Sequence, residues 1–128
     1  MIEIQAVTID SAQPYELAQW WSAALGWPIV DSEPEDDEVM LHRPDGPPHV
    51  LFIRVPEGKS VKNRVHLDVT PTEGRTRDEE VDRLLALGAK PHEDHRTAEG
   101  AGWFTLLDPE GNEFCVCRGE AERAASSS

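Results

Sequence analysis

Cysteine is scarce in this chain. Cys115 and Cys117 are the only two thiols among 128 residues, and they stand two apart in a strand-like run. Side chains at that spacing share a face and point in parallel, a poor geometry for a mutual disulfide. No disulfide framework is expected, and reduced thiols fit a cytoplasmic protein. Basic residues are also few. Against 25 Asp and Glu there are 12 Lys and Arg, a formal charge of −13, and a surface so acidic repels phosphate backbones and anionic lipid. Nucleic acid is therefore not expected as a partner. No apolar run approaches the length of a membrane span, and the opening Met1-Ile2-Glu3-Ile4 has neither the cationic region nor the long apolar region of a signal peptide. What remains is enough chain for one domain that buries a core without metal or disulfide staples.

The stretch from Lys62 to Thr70 organises the rest. Val65, Leu67 and Val69 alternate with Arg64, His66, Asp68 and Thr70, which predicts a strand with one face on the core and Arg, His and Asp side by side on the other. Further strands are expected over residues 3–10, 38–42, 49–55, 90–96, 102–107 and 113–118. Pro14 suits the first turn of a helix whose apolar stripe includes Leu17, Ala18, Trp20, Trp21 and Leu25, and Gly26 suits its end. A second helix is signalled by the capping box Thr76-Arg77-Asp78-Glu79, with Val81, Leu84, Leu85 and Leu87 as its buried stripe. The acidic run from Asp31 to Glu38 reads as a solvated loop. Residues 119–128, rich in Ala, Ser and Glu, read as a frayed, disordered tail.

Set side by side, the two halves share one order of elements: strand, helix, then three strands. Val7-Thr8-Ile9-Asp10 matches Val65-His66-Leu67-Asp68, Ala24-Leu25-Gly26 matches Ala86-Leu87-Gly88, and His49-Val50-Leu51-Phe52 matches Glu113-Phe114-Cys115-Val116. The expectation is an α+β fold of paired βαβββ modules, about 1–56 and 61–118. They would make a single domain over residues 1–118, with a cup-shaped, curved mixed sheet and the helices outside. Parity then sends Thr8, His49, His66 and Glu113 into the cup. Two histidines and a glutamate with an open position suit Zn, Fe(II), Mn or Ni.

These motifs resemble the vicinal oxygen chelate superfamily, which includes glyoxalase I, fosfomycin and bleomycin resistance proteins and extradiol dioxygenases, and in particular its glyoxalase-like branch. The resemblance spans roughly residues 3–118. It rests on Ala23-Ala24-Leu25-Gly26-Trp27, on Leu51 to Glu57 followed by Lys62 to Asp68, and on the closing Asp108-Pro109-Glu110-Gly111-Asn112-Glu113-Phe114. It implies metal ligands on the first and last strands of each module, which fall here on Thr8, His49, His66 and Glu113. Thr8 departs from the pattern, because a hydroxyl of ordinary pKa is a poor ligand. The resemblance also implies a homodimer, to which the tryptophans near the first helix would give apolar area.

Two classes of function follow. In one, a divalent metal on His66, Glu113 and His49 acts as Lewis acid on a small molecule with two adjacent oxygens, as in a lyase, isomerase or dioxygenase. His66 and Glu113 are then the catalytic pair, and Arg64 either anchors a substrate carboxylate or pairs with Asp68 or Glu113. In the other, a metal-free cup sequesters a small molecule. Arg64, His66 and Glu113 would be its polar fixtures, Leu51, Ile53, Met40 and Trp103 its walls, and Cys115 and Cys117 small linings rather than soft ligands; Thr8 and Asp68 join Arg64 among the expected substrate-binding residues. No residue is assigned to an organic cofactor.

Overall fold

The repeat of the sequence is a repeat of the fold. The structure, a computed structural model, describes residues 1–126; the last two residues of the expected tail, Ser127 and Ser128, lie outside the described residues. The α+β chain divides into two compact units, Met1–Lys59 and Ser60–Ser128, each a βαβββ module in plan. Among the described residues, no helix is long and apolar enough to cross a membrane.

In the first unit the elements are β1 (Ala6–Ser11), α1 (Pro14–Leu25), β2 (Glu38–Leu41) and β3 (His49–Arg54). The sheet order is β1-β3-β2, with β1 parallel and β2 antiparallel to β3. Three strands are expected after the helix, but the first of them is reduced to an isolated bridge between Ile29 and Leu41. Pro28 brings no N–H to that ladder, and the acidic loop follows at once. Pro14 opens α1, and Gly26, at φ 74°, closes it by donating its N–H to the Ser22 carbonyl at 2.8 Å. Pro14, Leu17, Ala18 and Trp21 are the buried stripe, and Val39, Leu41, Val50 and Phe52 supply the sheet's share of the core. Thr8 and Met40 both stand in register with Leu51. With His49 and Ile53 they occupy the opposite face from Val50 and Phe52.

The second unit runs β4 (Leu67–Val69), α2 (Arg77–Ala86), β5 (Lys90–Asp94), β6 (Trp103–Leu107), β7 (Glu113–Cys117) and α3 (Glu120–Ser126), with sheet order β4-β7-β6-β5. The strand expected from Lys62 is shorter at its start, and Val65, expected in the core, is 76% exposed. The cause is non-local: Asn63 donates its backbone N–H to Glu113 Oε2 at 2.9 Å and its side-chain amide to Asn112 at 3.0 Å. These bonds hold the approach to β4 out of a ladder of its own.

The capping box of α2 forms as expected, with Thr76 N–H donating to the Glu79 carboxylate and Glu79 N–H to the Thr76 hydroxyl. Its buried stripe, however, is Arg77, Glu80, Val81 and Leu84. Leu87, expected within it, is 39% exposed. Arg77 and Glu80 occupy the first turn of the stripe because each finds partners. Arg77 donates to three carbonyl oxygens, and Glu80 accepts from Arg75 and Arg83. Where a frayed tail is expected, residues 120–126 are helical instead. Glu122 takes the backbone N–H of Arg77 at 2.9 Å, so α3 supplies one of the bonds that the first turn of α2 cannot make for itself.

Candidate functional site on the second sheet

Register builds the site. Asp68 pairs with Cys115, Cys115 with Thr105, and Thr105 with Glu93, so one polar row crosses all four strands of the second sheet. Laterally paired residues share a face, and period-two alternation adds Glu113, Cys117, Trp103 and His95 to it. The other face carries Leu106, Phe114 and Val116, which are buried with Val81 and Leu84 of α2.

At the β4 edge the ligand atoms of His66, Asp68 and Cys115 all lie within 4.8 Å of one another. His66 Nδ1 stands 3.9 Å from Asp68 Oδ1, too far for a hydrogen bond. Both side chains are exposed, whereas Cys115 is buried beneath them with its sulfur 3.3 Å from the Thr105 hydroxyl. Burial pushes the Cys115 thiol above its ordinary pKa and the Asp68 carboxylate adds to the rise, while the Thr105 hydrogen bond opposes it. Cys117 is raised in the same way, by burial first and then by Asp68. An imidazole nitrogen, a carboxylate oxygen and a thiol sulfur converging on one point fit a zinc-like divalent ion.

The other expected ligands have different surroundings. Glu113 is 7% exposed, lies on the same face two residues before Cys115, and accepts the Asn63 N–H. It stands outside the group of three. His49, in the first unit, is buried and stacked on His42 at 4.5 Å, and its Nδ1 accepts the Arg43 backbone N–H at 3.0 Å. A neutral imidazole that accepts at Nδ1 carries its proton on Nε2, so this tautomer has no lone pair left for a metal.

Thr8 is exposed on β1, and Leu51, Ile53 and Met40 are half-buried on the Thr8 face. Arg64 is exposed in the bend before His66. Trp103 is 43% exposed and stacked on His95 at 4.6 Å. Of the expected site residues, the second unit thus brings together His66 and Asp68. The third member, Cys115, is expected from sequence only as a wall. Its shared parity with Glu113 is the one local signal for it, and the pairing with Asp68 appears only in the register.

Residues 6–117 match the family model described as a glyoxalase-like domain, and the chain belongs to that family. The fold is the vicinal oxygen chelate fold that the motifs resemble. A protein from Agrobacterium tumefaciens known from solution NMR superposes with a TM-score of 0.70 at 20% identity, over 92% of this chain and 98% of that one. A glyoxalase/bleomycin resistance protein/dioxygenase family enzyme from Burkholderia phytofirmans PsJN gives 0.68 at 19% identity, over 91% and 98%. Lactoylglutathione lyase from Agrobacterium tumefaciens gives 0.64 at 18%, over 93% and 95%. Identities of this size speak for the fold alone. No curated protein gives a significant match.

Proposed function

We propose that the chain is a small-molecule-binding glyoxalase-like protein whose second sheet holds a divalent metal through His66, Asp68 and Cys115. The observation that carries this reading is the convergence of three unlike donors within 4.8 Å. A metal there would supply a Lewis acid to a ligand with two adjacent oxygens. Asp68 contributes the hard donor, His66 the borderline one and Cys115 the soft one, a set that favours zinc or nickel over manganese. The set lacks the second imidazole of a 2-His-1-carboxylate iron centre, so it supports a lyase or isomerase better than a dioxygenase. Glu113 would be the carboxylate that takes and returns a proton of the bound molecule, a role supported by its burial on the same face and by the Asn63 N–H that holds it. Arg64, exposed two residues before His66, would be the group to anchor a ligand carboxylate.

A second reading, metal-free binding on this face, is favoured by the Cys115 thiol itself, which burial keeps in its neutral form. Metal analysis of tag-free protein purified without chelator separates the two, together with calorimetric zinc titration of the parent, His66→Ala and Cys115→Ser. The metal reading expects both variants to bind one equivalent of zinc fewer than the parent. Equal zinc affinity in all three proteins would refute it in favour of the metal-free one.

A further inference from the structure

The opposite edge of the second sheet carries a second set of donors. In the β5–β6 ladder Pro91 pairs with Leu106 and Glu93 with Thr105, so His92 is an extra residue in a β-bulge. In a regular strand His92 and Glu93 would point to opposite faces; a bulge re-aims one of the two. Here His92 Nε2 comes to 3.7 Å from Glu93 Oε1, while His95 Nε2 lies 2.8 Å from Glu93 Oε2. Two imidazoles therefore flank the two oxygens of one carboxylate. His95 is held in place twice, by its backbone N–H donating to the Trp103 carbonyl at 2.9 Å and by its ring stacking on the Trp103 indole at 4.6 Å and 27°.

We propose that His92, Glu93 and His95 form a second divalent transition-metal site on β5, taking an ion of the zinc, nickel or copper(II) class through two imidazole nitrogens and one carboxylate. Imidazole with carboxylate is a donor set these ions favour. Part of the organisation is already present, since each imidazole nitrogen lies near one oxygen of Glu93, at 3.7 and 2.8 Å. His95 is held by Trp103, and its Nε2 is hydrogen-bonded to Glu93 Oε2 at 2.8 Å. Binding requires the His95 Nε2–H bond to Glu93 to give way to the ion and the three donors to draw together, since they do not all lie within 4.8 Å of one another. All three side chains are more than a third exposed, which leaves the remaining coordination positions to water. Three strand spacings, about 14 Å, separate β5 from β4, so this site is distinct from the one at His66. An exposed polar edge strand also has a simpler use, since charged side chains discourage pairing with another sheet edge, and the test must separate the two.

That test is a nickel(II) titration by calorimetry on the full chain, in the parent and in a His66→Ala/Cys115→Ser background that removes the first cluster. The background protein should retain one equivalent. Adding His92→Ala or His95→Ala should weaken that binding by about tenfold or more, and His42→Ala should leave it unchanged. Binding that is the same with and without His92 and His95 would overturn the proposal. Because His95→Ala also removes a stacking partner, the parent protein gives an independent reading by NMR. Zinc should shift the imidazole resonances of His92 and His95, and resonances that stay put at excess zinc would overturn the proposal equally.

Discussion

Arg77→Met tests whether a buried cation holds together the sheet that carries the candidate site. Arg77 is 3% exposed. Its Nη1 donates to the carbonyl oxygens of Gly100, Ala101 and Gly102 at 3.2, 3.0 and 2.9 Å, and its Nε to Asp78 at 3.0 Å. It thereby fastens the loop that enters β6 to the first turn of α2. The loop has little freedom to settle elsewhere, because Gly102, at φ +87°, approaches the His95 carbonyl so closely that a Cβ would lie 2.0 Å from its oxygen. Methionine keeps the stem and removes every donor. Breaking a buried charged pair costs about 3–5 kcal/mol. Here the lower end applies, since Asp78 keeps Arg96 at 3.1 Å and no anion is stranded. A loss of about 3 kcal/mol, with a urea slope of about 2 kcal/mol per molar, moves the midpoint down by about 1.5 M. Urea unfolding followed by far-ultraviolet circular dichroism measures this directly. Arg75→Met, which removes a half-exposed partner of Glu80, should move the midpoint far less. If Arg77→Met costs under about 1 kcal/mol, water satisfies those carbonyls and the staple does not exist.

Zinc binding at the first cluster requires the Cys115 proton to leave. The thiol lies above its ordinary pKa, so zinc affinity should rise about tenfold per pH unit between pH 6 and 8 from this group alone; Cys115→Ser should flatten that part of the slope, and an identical slope in both proteins would remove Cys115 from the ligand set. Burial by itself would raise Glu80, but the hydrogen bonds from Arg83 and Arg75 prevail and its pKa is lowered from 4.5. A depressed folded pKa gives stability that is present above the unfolded value and lost as pH falls through the folded one. Glu80→Gln should therefore destabilise at pH 7 and converge with the parent in acid, and a difference independent of pH would contradict this. Trp20 and Trp27 are half-buried at α1, and we propose that they lie in the interface of a homodimer; a monomer mass by light scattering at micromolar concentration would dispose of that.

What could be read in advance was local. The first two helices announce themselves by cap and by spacing: Pro14 and Gly26 bracket α1, and Thr76 with Glu79 opens α2. The family motifs are likewise contiguous, and they led to the right fold. Several of the misreadings share a cause, which is a partner distant in sequence. Arg77 looks like a solvent-facing charge until the carbonyls of Gly100, Ala101 and Gly102 are in place, whereas Glu80 is held by Arg75 and Arg83 close by in sequence. The final helix has no core of its own to bury, yet Glu122 docks it on Arg77, 45 residues away. Val65 alternates correctly for a buried strand and is exposed all the same, because Asn63 is bound to the start of β7.

The chemistry follows the same division. Alternation alone separates the two faces of a strand, so His66 and Asp68 are legible as neighbours from sequence. Which residue of another strand joins them depends on register, and a shift of one residue in the β4–β7 ladder would bring Phe114 or Val116 opposite Asp68 in place of Cys115. The parallel ladder that sets this register is closed by no short turn; about forty residues and a helix intervene between the two strands. The cluster at β5 is harder still, because a regular alternation assigns His92 to the wrong face and only the bulge returns it to Glu93. A donor set of this kind is invisible to period and spacing. It exists because one extra residue was accommodated in an edge strand, where the ladder has a partner on one side only and can absorb the irregularity at least cost.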